Sequence, residues 1–173
     1  SDLAALPRLL DELFGQFGRR LDLIAVIVGP GSFTGLRASI ALAHGVALAA
    51  GVPVVGVTVG AALRSEPAEL PFWAAIDSKR GRVFLEREGR IESVALDALP
   101  LPSGPIVLGG DAALPVGEAL AARGAEVRLV QNGRLEAVAI AKAALAGRTV
   151  AAQPIYVDPP AAQPGPAGRP APE

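Results

Sequence analysis

An apolar segment that runs into a glycine-rich loop organises this chain: residues 23 to 37 read LIAVIVGPGSFTGLR. The continuous apolar run from Leu23 to Val28 predicts a buried strand of a parallel sheet. Beyond the glycines, Leu36 to Ala50 has the length and composition of a helix, which Gly51 would close. Val52 to Val57 predicts the next strand. This strand–loop–helix–strand order predicts a right-handed parallel βαβ unit.

Further helices and strands are predicted on both sides of this unit. Ahead of it, Leu3 to Phe14 carries leucines at helical spacing, with Pro7 tolerated only in a first turn and the glycines at 15 and 18 in the turn that follows. Beyond it, the predicted elements are a helix at 59–63, strands at 72–76 and 82–87 joined by a polar hairpin loop, a strand at 106–108, a helix at 112–123, a strand at 127–130 and a helix at 135–146. The fold class is therefore α/β.

Composition limits the functions that this chain can perform alone. Its 173 residues are 51% hydrophobic and 19% charged, which is ample for a packed core. The formal net charge is −1, without the basic excess expected of a domain that grips nucleic acid by itself. The sequence has no Cys and a single His, so neither a thiolate metal site nor one built on several imidazoles is expected.

The glycine loop is the natural place to look for phosphate binding, and the candidate ligand-binding residues are Gly29, Gly31, Ser32, Thr34 and Gly35. Leu36 and Arg37 follow the last glycine, so the Walker A pattern fails. The glycine spacing also departs from the dinucleotide fingerprint, and Ser32 lacks the flanking glycines of a nucleophile elbow. The alternative is structural: the glycines permit a tight turn, Ser32 or Thr34 caps the helix, and Arg37 is a solvated charge or an ion-pair partner.

The long apolar stretch from Ala38 to Leu63 has a membrane interpretation and a core interpretation. Its only ionisable side chain is His44, and it is long enough to span a bilayer. However, Gly51 and Pro53 interrupt it, and the valines beyond them favour a strand. We therefore expect a buried helix followed by a buried strand, with no membrane contact.

Three motifs resemble the TsaB (YeaZ) family. The string Gly29 to Arg37 resembles the signature of that family and of its catalytic relative TsaD. The segment Ile76 to Phe84 is similar to the family's Asp-Ala-Arg-Arg-Gly hairpin, and Pro154 to Val157 to its C-terminal segment. The resemblance implies an actin-like (ASKHA, ribonuclease-H-like) fold of two lobes. The first lobe is expected to lack its N-terminal strands, because the family's opening Asp-Thr-Ser region has no counterpart here, and Asp158 stands where the family usually has Arg.

The resemblance also implies a domain division and a role. Residues 1–64 would form the remainder of the first lobe, 65–158 the second lobe and 159–173 a disordered tail rich in Pro and Ala. The chain would be a cytoplasmic scaffold without catalytic residues, cofactor or metal, in the complex that forms N6-threonylcarbamoyladenosine at position 37 of tRNA. A TsaD-like subunit would carry the metal on a His-x-x-x-His pair, a TsaE-like ATPase would join, and tRNA would be contacted only indirectly.

Two alternatives to the scaffold are a small nucleotide-binding enzyme that uses the loop from Gly29 to Gly35 and a peptidase. The peptidase is disfavoured because its metal ligands are missing.

Small residues at helical spacing suggest where a partner helix could approach, and the chain could also pair with itself there. These predicted interface residues are Ala38, Ala41, Leu42, Gly45 and Ala49. The alternative is that this stripe packs against the chain's own sheet.

Overall fold

The computed structural model describes residues 5–18, 20–64, 69–130 and 135–157, and within these ranges the chain forms two sheets and five α-helices. The helices are α1 (Leu6–Phe17), α2 (Phe33–Ala50), α3 (Val59–Leu63), α4 (Ala113–Ala121) and α5 (Ala137–Leu145). The strands are β1 (Ile24–Gly29), β2 (Val54–Thr58), β3 (Phe72–Asp77), β4 (Val83–Arg87), β5 (Arg90–Val94), β6 (Ile106–Gly109) and β7 (Val127–Leu129). The mixed α/β fold predicted from the sequence is confirmed.

The first sheet is the predicted βαβ unit. Strands β1 and β2 pair in parallel, with Ile24 opposite Val54, and α2 connects them. Helix α2 begins three residues before the predicted Leu36 because Ser32 is its N-cap: the Ser32 Oγ accepts the backbone N–H of Gly35 at 3.4 Å. It ends, as predicted, at Gly51, which has the left-handed φ of 67° that glycine adopts without strain.

The second sheet has five strands in the order β5-β4-β3-β6-β7. Strand β4 pairs antiparallel with β3 on one side and with β5 on the other. Strand β6 is parallel to β3, and β7 is parallel to β6. Strand β5 is not anticipated in the sequence analysis. Helix α4 packs on this sheet over a core that includes Trp73, Leu85, Leu108, Val116 and Leu120.

The chain returns to the first sheet after β7. Ala143 and Ala144 of α5 are buried in one cluster with Val57 of β2 and Ala62 of α3. Helix α3 in turn joins the two sheets, because Leu63 packs with residues of β3. The domain limits predicted at residues 64 and 158 stay a prediction, and α5 lies against the sheet of the first segment.

The predicted bounds of the first helix need correction, and the predictions for the C-terminal residues lie outside the described residues. Helix α1 runs from Leu6 to Phe17, so Gly15 lies inside the helix and not in the turn, and Gly18 ends it. Pro7 lies in the first turn, where its missing N–H costs no helical hydrogen bond. The predicted tail, residues 159–173, and Asp158 lie outside the described residues.

Helix α2 is, among the described residues, the one helix long and apolar enough to cross a membrane by length and composition. A core helix of a soluble protein meets the same criterion. The prediction of a buried helix needs correction: α2 packs on β1 with one side only, because its other side has no described part of the chain against it. Strand β2 follows where the sequence predicts a strand.

Candidate partner interface

Helix α2 has one buried face and one open face. The buried face packs on β1, where Leu36, Ile40 and Ala43 share a cluster with Val26 and Val28. Periodicity requires that residues on the opposite side of the helix point away from this sheet. The open face therefore consists of residues that no described part of the chain covers, although α2 is apolar on almost every side.

The five predicted interface residues do not lie against the chain's own sheet. Ala41, Gly45 and Ala49 are exposed, and Ala38 and Leu42 are half-buried at the edges of the open face. At Gly45, a Cβ would meet no atom within 4 Å, so the backbone is open to close approach. Their part in a partner interface stays a prediction, while the residues of α2 that contact β1 are a different set.

A second row of exposed side chains runs along the same helix, beside the predicted stripe, and shares Ala41 with it. Its members recur every three or four positions, and the structure leaves all of them exposed: Phe33, Arg37, Ala41, His44 and Leu48. Leu48 is 86% exposed, so it adds a large apolar side chain to this row of surface residues. We call this row the α2 ridge. It spans about four turns, or roughly 22 Å.

The N-terminal end of the α2 ridge is an aromatic cluster around Arg37. The Arg37 Cζ lies 4.3 Å from the ring centroid of Phe33 and 5.9 Å from that of Tyr156. The Arg37 Nε donates a hydrogen bond to the Tyr156 hydroxyl at 2.9 Å, and the two rings are 5.2 Å apart. These are cation–π distances, so the rings hold the guanidinium in one orientation at the surface.

The C-terminal segment, residues 150–157, brings Tyr156 to this position. The backbone N–H of Ile155 donates to the carbonyl of Val28 at 2.8 Å, at the end of β1. The Nε2 of His44 lies 2.9 Å from the carbonyl of Ala152, to which it donates. A Cβ at Gly56 would come within 2.5 Å of the carbonyl oxygen of Ala151, so this segment also lies tightly against β2. The segment that resembles a family motif therefore lies against the first sheet.

Helix α1 leaves a second apolar surface uncovered. Leu9 is 46% exposed and Leu13 is 50% exposed, although both belong to the apolar side predicted from the sequence. The opposite side carries the ion pair of Arg8 with Glu12 at 3.5 Å. Helices α1 and α2 thus both expose apolar side chains.

The glycine loop has the capping geometry of the structural alternative. Ser32 accepts from the Gly35 N–H through its side chain and from the Leu36 N–H through its carbonyl, at 3.4 and 2.9 Å. Gly29 has a φ of 129°, and a Cβ there would lie 3.1 Å from the carbonyl oxygen of Ile155. A glycine at position 29 is thus required by the turn and by the adjacent C-terminal segment. The capping role of Ser32 is confirmed, whereas a ligand on the loop stays a prediction.

The hairpin that resembles the second family motif is held by Asp77. Its Oδ1 accepts the backbone N–H of Lys79 at 2.7 Å, and its Oδ2 lies 2.8 Å from the Lys79 Nζ. Hydrogen bonds from the Lys79 side chain and backbone lower the pKa of the exposed Asp77 carboxyl. Asp111 reaches the same turn and accepts the Asp77 N–H at 2.8 Å. These contacts shape the turn and occupy the acidic residue of the motif.

A half-buried carboxyl group lies where the two sheets meet. Glu86 of β4 accepts hydrogen bonds from the Thr58 hydroxyl and, at 2.8 Å, from the backbone N–H of Gly60 at the start of α3. Burial raises the pKa of Glu86, and the hydrogen bonds from Thr58 and Gly60 oppose this effect. Thr58 also caps α3 through the Ala61 N–H at 3.1 Å. Glu86 thus ties the second sheet to the end of β2.

A metal centre of the kind that the resemblance attributes to TsaD-like enzymes does not fit these residues. It needs two histidines, and His44 is the single histidine of the chain. In the part of the chain that the structure describes, no three His, Cys, Asp or Glu side chains come together in a way that could hold a metal ion.

Three features of the surface were not singled out from the sequence. Leu48 continues the row that begins at Phe33 and Arg37, so helical spacing could have included it. Tyr156 lies 119 positions from Arg37 in the chain, and only the fold brings them together. Glu86 sits in an ordinary strand pattern, without a signal that its carboxyl is buried.

Comparisons with known proteins match this chain to the family that its motifs resemble. The family model described as "TsaD: tRNA N6-adenosine threonylcarbamoyltransferase" matches residues 3–151. Comparison with curated proteins found no significant match. A crystal structure of an uncharacterized protein from Pseudomonas aeruginosa, with similarity to peptidase YeaZ, superimposes with a TM-score of 0.67 at 23% identity, over 90% of this chain and 83% of that one.

A second solved structure, YeaZ from Pseudomonas aeruginosa, has a TM-score of 0.65 at 23% identity and covers 89% of this chain and 85% of its own. At such identity the two structures show a shared fold, which confirms the predicted actin-like α/β class. The family model covers most of the sequence. This chain therefore belongs to the TsaD family of tRNA N6-adenosine threonylcarbamoyltransferases and their relatives.

Proposed function

We propose that this chain is a TsaB-type scaffold subunit that pairs through α2 with a catalytic TsaD-type subunit, in the complex that forms N6-threonylcarbamoyladenosine at position 37 of tRNA. The observation that carries the proposal is the open face of α2. Alanines, a glycine and an exposed leucine on one helix face let a second helix approach closely and bury its own apolar side chains.

The proposed absence of catalytic residues is supported by the hydrogen bonds of the side chains that could act as an acid or a base. The single His44 is hydrogen bonded to the carbonyl of Ala152, and the acidic residue of the hairpin motif, Asp77, is engaged by Lys79. Among the described residues, Ser32 of the glycine loop contacts the backbone of Gly35 and Leu36, and neither contact pairs a nucleophile with a base. A scaffold needs only the interface, and three of the proposed interface residues, Ala41, Gly45 and Ala49, are exposed in the described part of the chain.

An indirect role towards tRNA is supported by charge. With 16 basic and 17 acidic residues, the chain offers no electrostatic excess for a polyanion. We place it in the cytoplasm with a TsaD-like and a TsaE-like partner, where the other subunits contact the tRNA. Self-association through α2 is the competing use of the same face when the partner is absent.

The test is light scattering after size-exclusion chromatography, on the chain alone and mixed with the cognate TsaD-type subunit. A stable heterodimer is expected. Leu48→Asp should weaken it by roughly ten- to a hundredfold, because burying a leucine contributes about 1.5–3 kcal/mol. Leu145→Asp is the matched control: Leu145 is 82% exposed on α5, and its replacement should leave pairing unchanged.

Two results would contradict the proposal. One is a mixture in which the unsubstituted chain stays apart from the TsaD-type subunit at micromolar concentration. The other is equal weakening by both leucine substitutions, which would move the interface away from α2. Binding of a nucleotide by the isolated chain, lost on Gly31→Val, would instead favour the nucleotide-binding alternative at the glycine loop.

A further inference from the structure

We infer that Arg37 is the charged anchor of this interface and that it binds a carboxylate on the partner helix that covers the α2 ridge. The inference rests on the proposed function and adds the chemistry by which the partner is recognised. It predicts that the partner places an Asp or Glu opposite the first turns of α2, and small or apolar residues opposite Ala41 and Leu48.

The guanidinium of Arg37 is oriented by its neighbours, and its two Nη atoms are available to bind a carboxylate. Its Nε is already engaged by the Tyr156 hydroxyl at 2.9 Å, and the Phe33 ring backs it at 4.3 Å from the Cζ. Neither Nη atom has a hydrogen bond, and Arg37 has no ion pair within the described chain. Because the rings restrict the side chain beforehand, little conformational entropy is lost on binding. Two Nη donors in a planar fork match the two oxygens of a carboxylate.

Charge on α2 argues for a different protein as the partner and against a second copy. Arg37 is the only Lys or Arg between Phe33 and Ala50, and this segment has no Asp or Glu. Two copies of α2 packed face to face would bury two arginines without a carboxylate from either helix, which costs several kcal/mol per uncompensated charge. A foreign helix that carries an acid relieves this cost. Arg37 thus selects against self-pairing.

A protein partner also fits the site better than RNA. Arginine beside exposed aromatic rings can stack with unpaired bases. Here, however, the guanidinium lies on the Phe33 ring, and the α2 ridge continues from Arg37 into Ala41 and Leu48. Aromatic residues and arginine next to an apolar strip are typical of the energetic centre of a protein interface.

The experiment is calorimetric titration of the full chain with the cognate TsaD-type subunit at low and at high salt. Arg37→Met should weaken binding at least tenfold and remove much of the salt dependence, since the ion pair is lost. Arg37→Lys should be weakened as well, because an ammonium group cannot bind the carboxylate with two donors in one plane. Tyr156→Phe keeps the ring but frees the Nε, and it should weaken binding severalfold. Arg128→Met, an exposed arginine of β7, is the matched control and should bind as the unsubstituted chain does.

The opposing acid can be located with a double-mutant cycle. Asp→Asn or Glu→Gln substitutions on the partner helix should include one whose effect is not additive with Arg37→Met. Unchanged affinity of both Arg37 variants, while the unsubstituted chain binds, would overturn the anchor and leave the proposed function standing. No binding by the unsubstituted chain would overturn both. If the isolated chain binds tRNA and Arg37→Met abolishes this binding, Arg37 is an RNA-binding residue, and the proposal that it binds a carboxylate is wrong.

Discussion

The carboxyl group of Glu86 lies directly against Gly60: a Cβ at position 60 would come within 2.5 Å of the Glu86 Cδ. Glu86 belongs to β4 of the second sheet, and Gly60 lies in the first turn of the short helix α3, which follows the first sheet. The hydrogen bond from the Gly60 N–H, at 2.8 Å, forms only because no side chain intervenes. One glycine thus sets how closely the two sheets approach each other.

Gly60→Ala should lower the free energy of unfolding by about 1–3 kcal/mol, because the new methyl group must displace a buried, hydrogen-bonded carboxyl group. Urea unfolding followed by circular dichroism measures this change. Gly45→Ala is the matched control, since a Cβ there meets no atom within 4 Å and alanine is the better helix former. That variant should be as stable as the original chain or about 1 kcal/mol more stable. Equal stability of the two variants would show that the contact with Glu86 is not tight.

Glu86→Gln should flatten the dependence of stability on pH. Burial raises the pKa of Glu86, so the folded chain holds a proton on this carboxyl more tightly than the unfolded chain does. Linkage then requires the free energy of unfolding to fall as pH rises from the ordinary glutamate pKa through the raised one. Glutamine cannot titrate, so this part of the slope should disappear. Urea unfolding at a series of pH values tests it.

The control for this titration is Glu88→Gln, which removes an exposed carboxylate just beyond the end of the same strand. It should keep the slope of the unsubstituted chain. An unchanged slope in Glu86→Gln would mean that Glu86 titrates alike in the folded and unfolded chains, because the hydrogen bonds to Glu86 offset the effect of burial.

Lys79→Met should raise the pKa of Asp77 towards the ordinary aspartate range. The Lys79 side-chain hydrogen bond is the largest of the effects that lower this pKa, and the backbone N–H of the same residue comes second. Methionine retains the backbone contact and loses the ammonium group. Carboxyl-detected NMR titration measures the change, and a pKa that stays at its original value would assign the whole effect to the backbone.

Glu88→Asn should stabilise the β4–β5 hairpin by about 0.5–1 kcal/mol. Arg87 pairs with Arg90 across a two-residue turn, and both turn residues have positive φ: 50° for Glu88 and 76° for Gly89. Asparagine tolerates this conformation better than glutamate, and Asn-Gly is the preferred sequence of such turns. Thermal unfolding measures the gain. Gly89→Ala should lower stability instead, and a gain from that change would argue against the turn geometry.

Much of the fold could be predicted because it depends on local signals. The βαβ unit can be predicted from signals that act within a few residues. These signals are the apolar run from Leu23 to Val28, the cap at Ser32 and the helix stop at Gly51. The sequence does not predict strand β5, because its turn, Glu88-Gly89, has a glutamate where asparagine or aspartate is usual. The predicted start of α2, at Leu36, is late because the glycines favour a loop as far as Gly35.

The candidate interface was only partly predictable. Helical spacing was enough to identify the small residues Ala41, Gly45 and Ala49, because periodicity relates neighbours on one face. It could not say which face of an almost uniformly apolar helix meets the sheet, since that depends on what β1 presents to it. The buried side, with Leu36 and Ile40, emerged only from the packing.

The sequence by itself determined the parallel βαβ unit, the glycine-rich turn and the family resemblance, because each depends on residues close together in the chain. The tertiary structure decided the contacts between distant residues. It brought Tyr156 beside Arg37 and Glu86 beside Gly60, at separations that no local pattern encodes. The physical reason is that such pairs form only when the C-terminal segment and strand β4 are held in place by the packing of the whole domain.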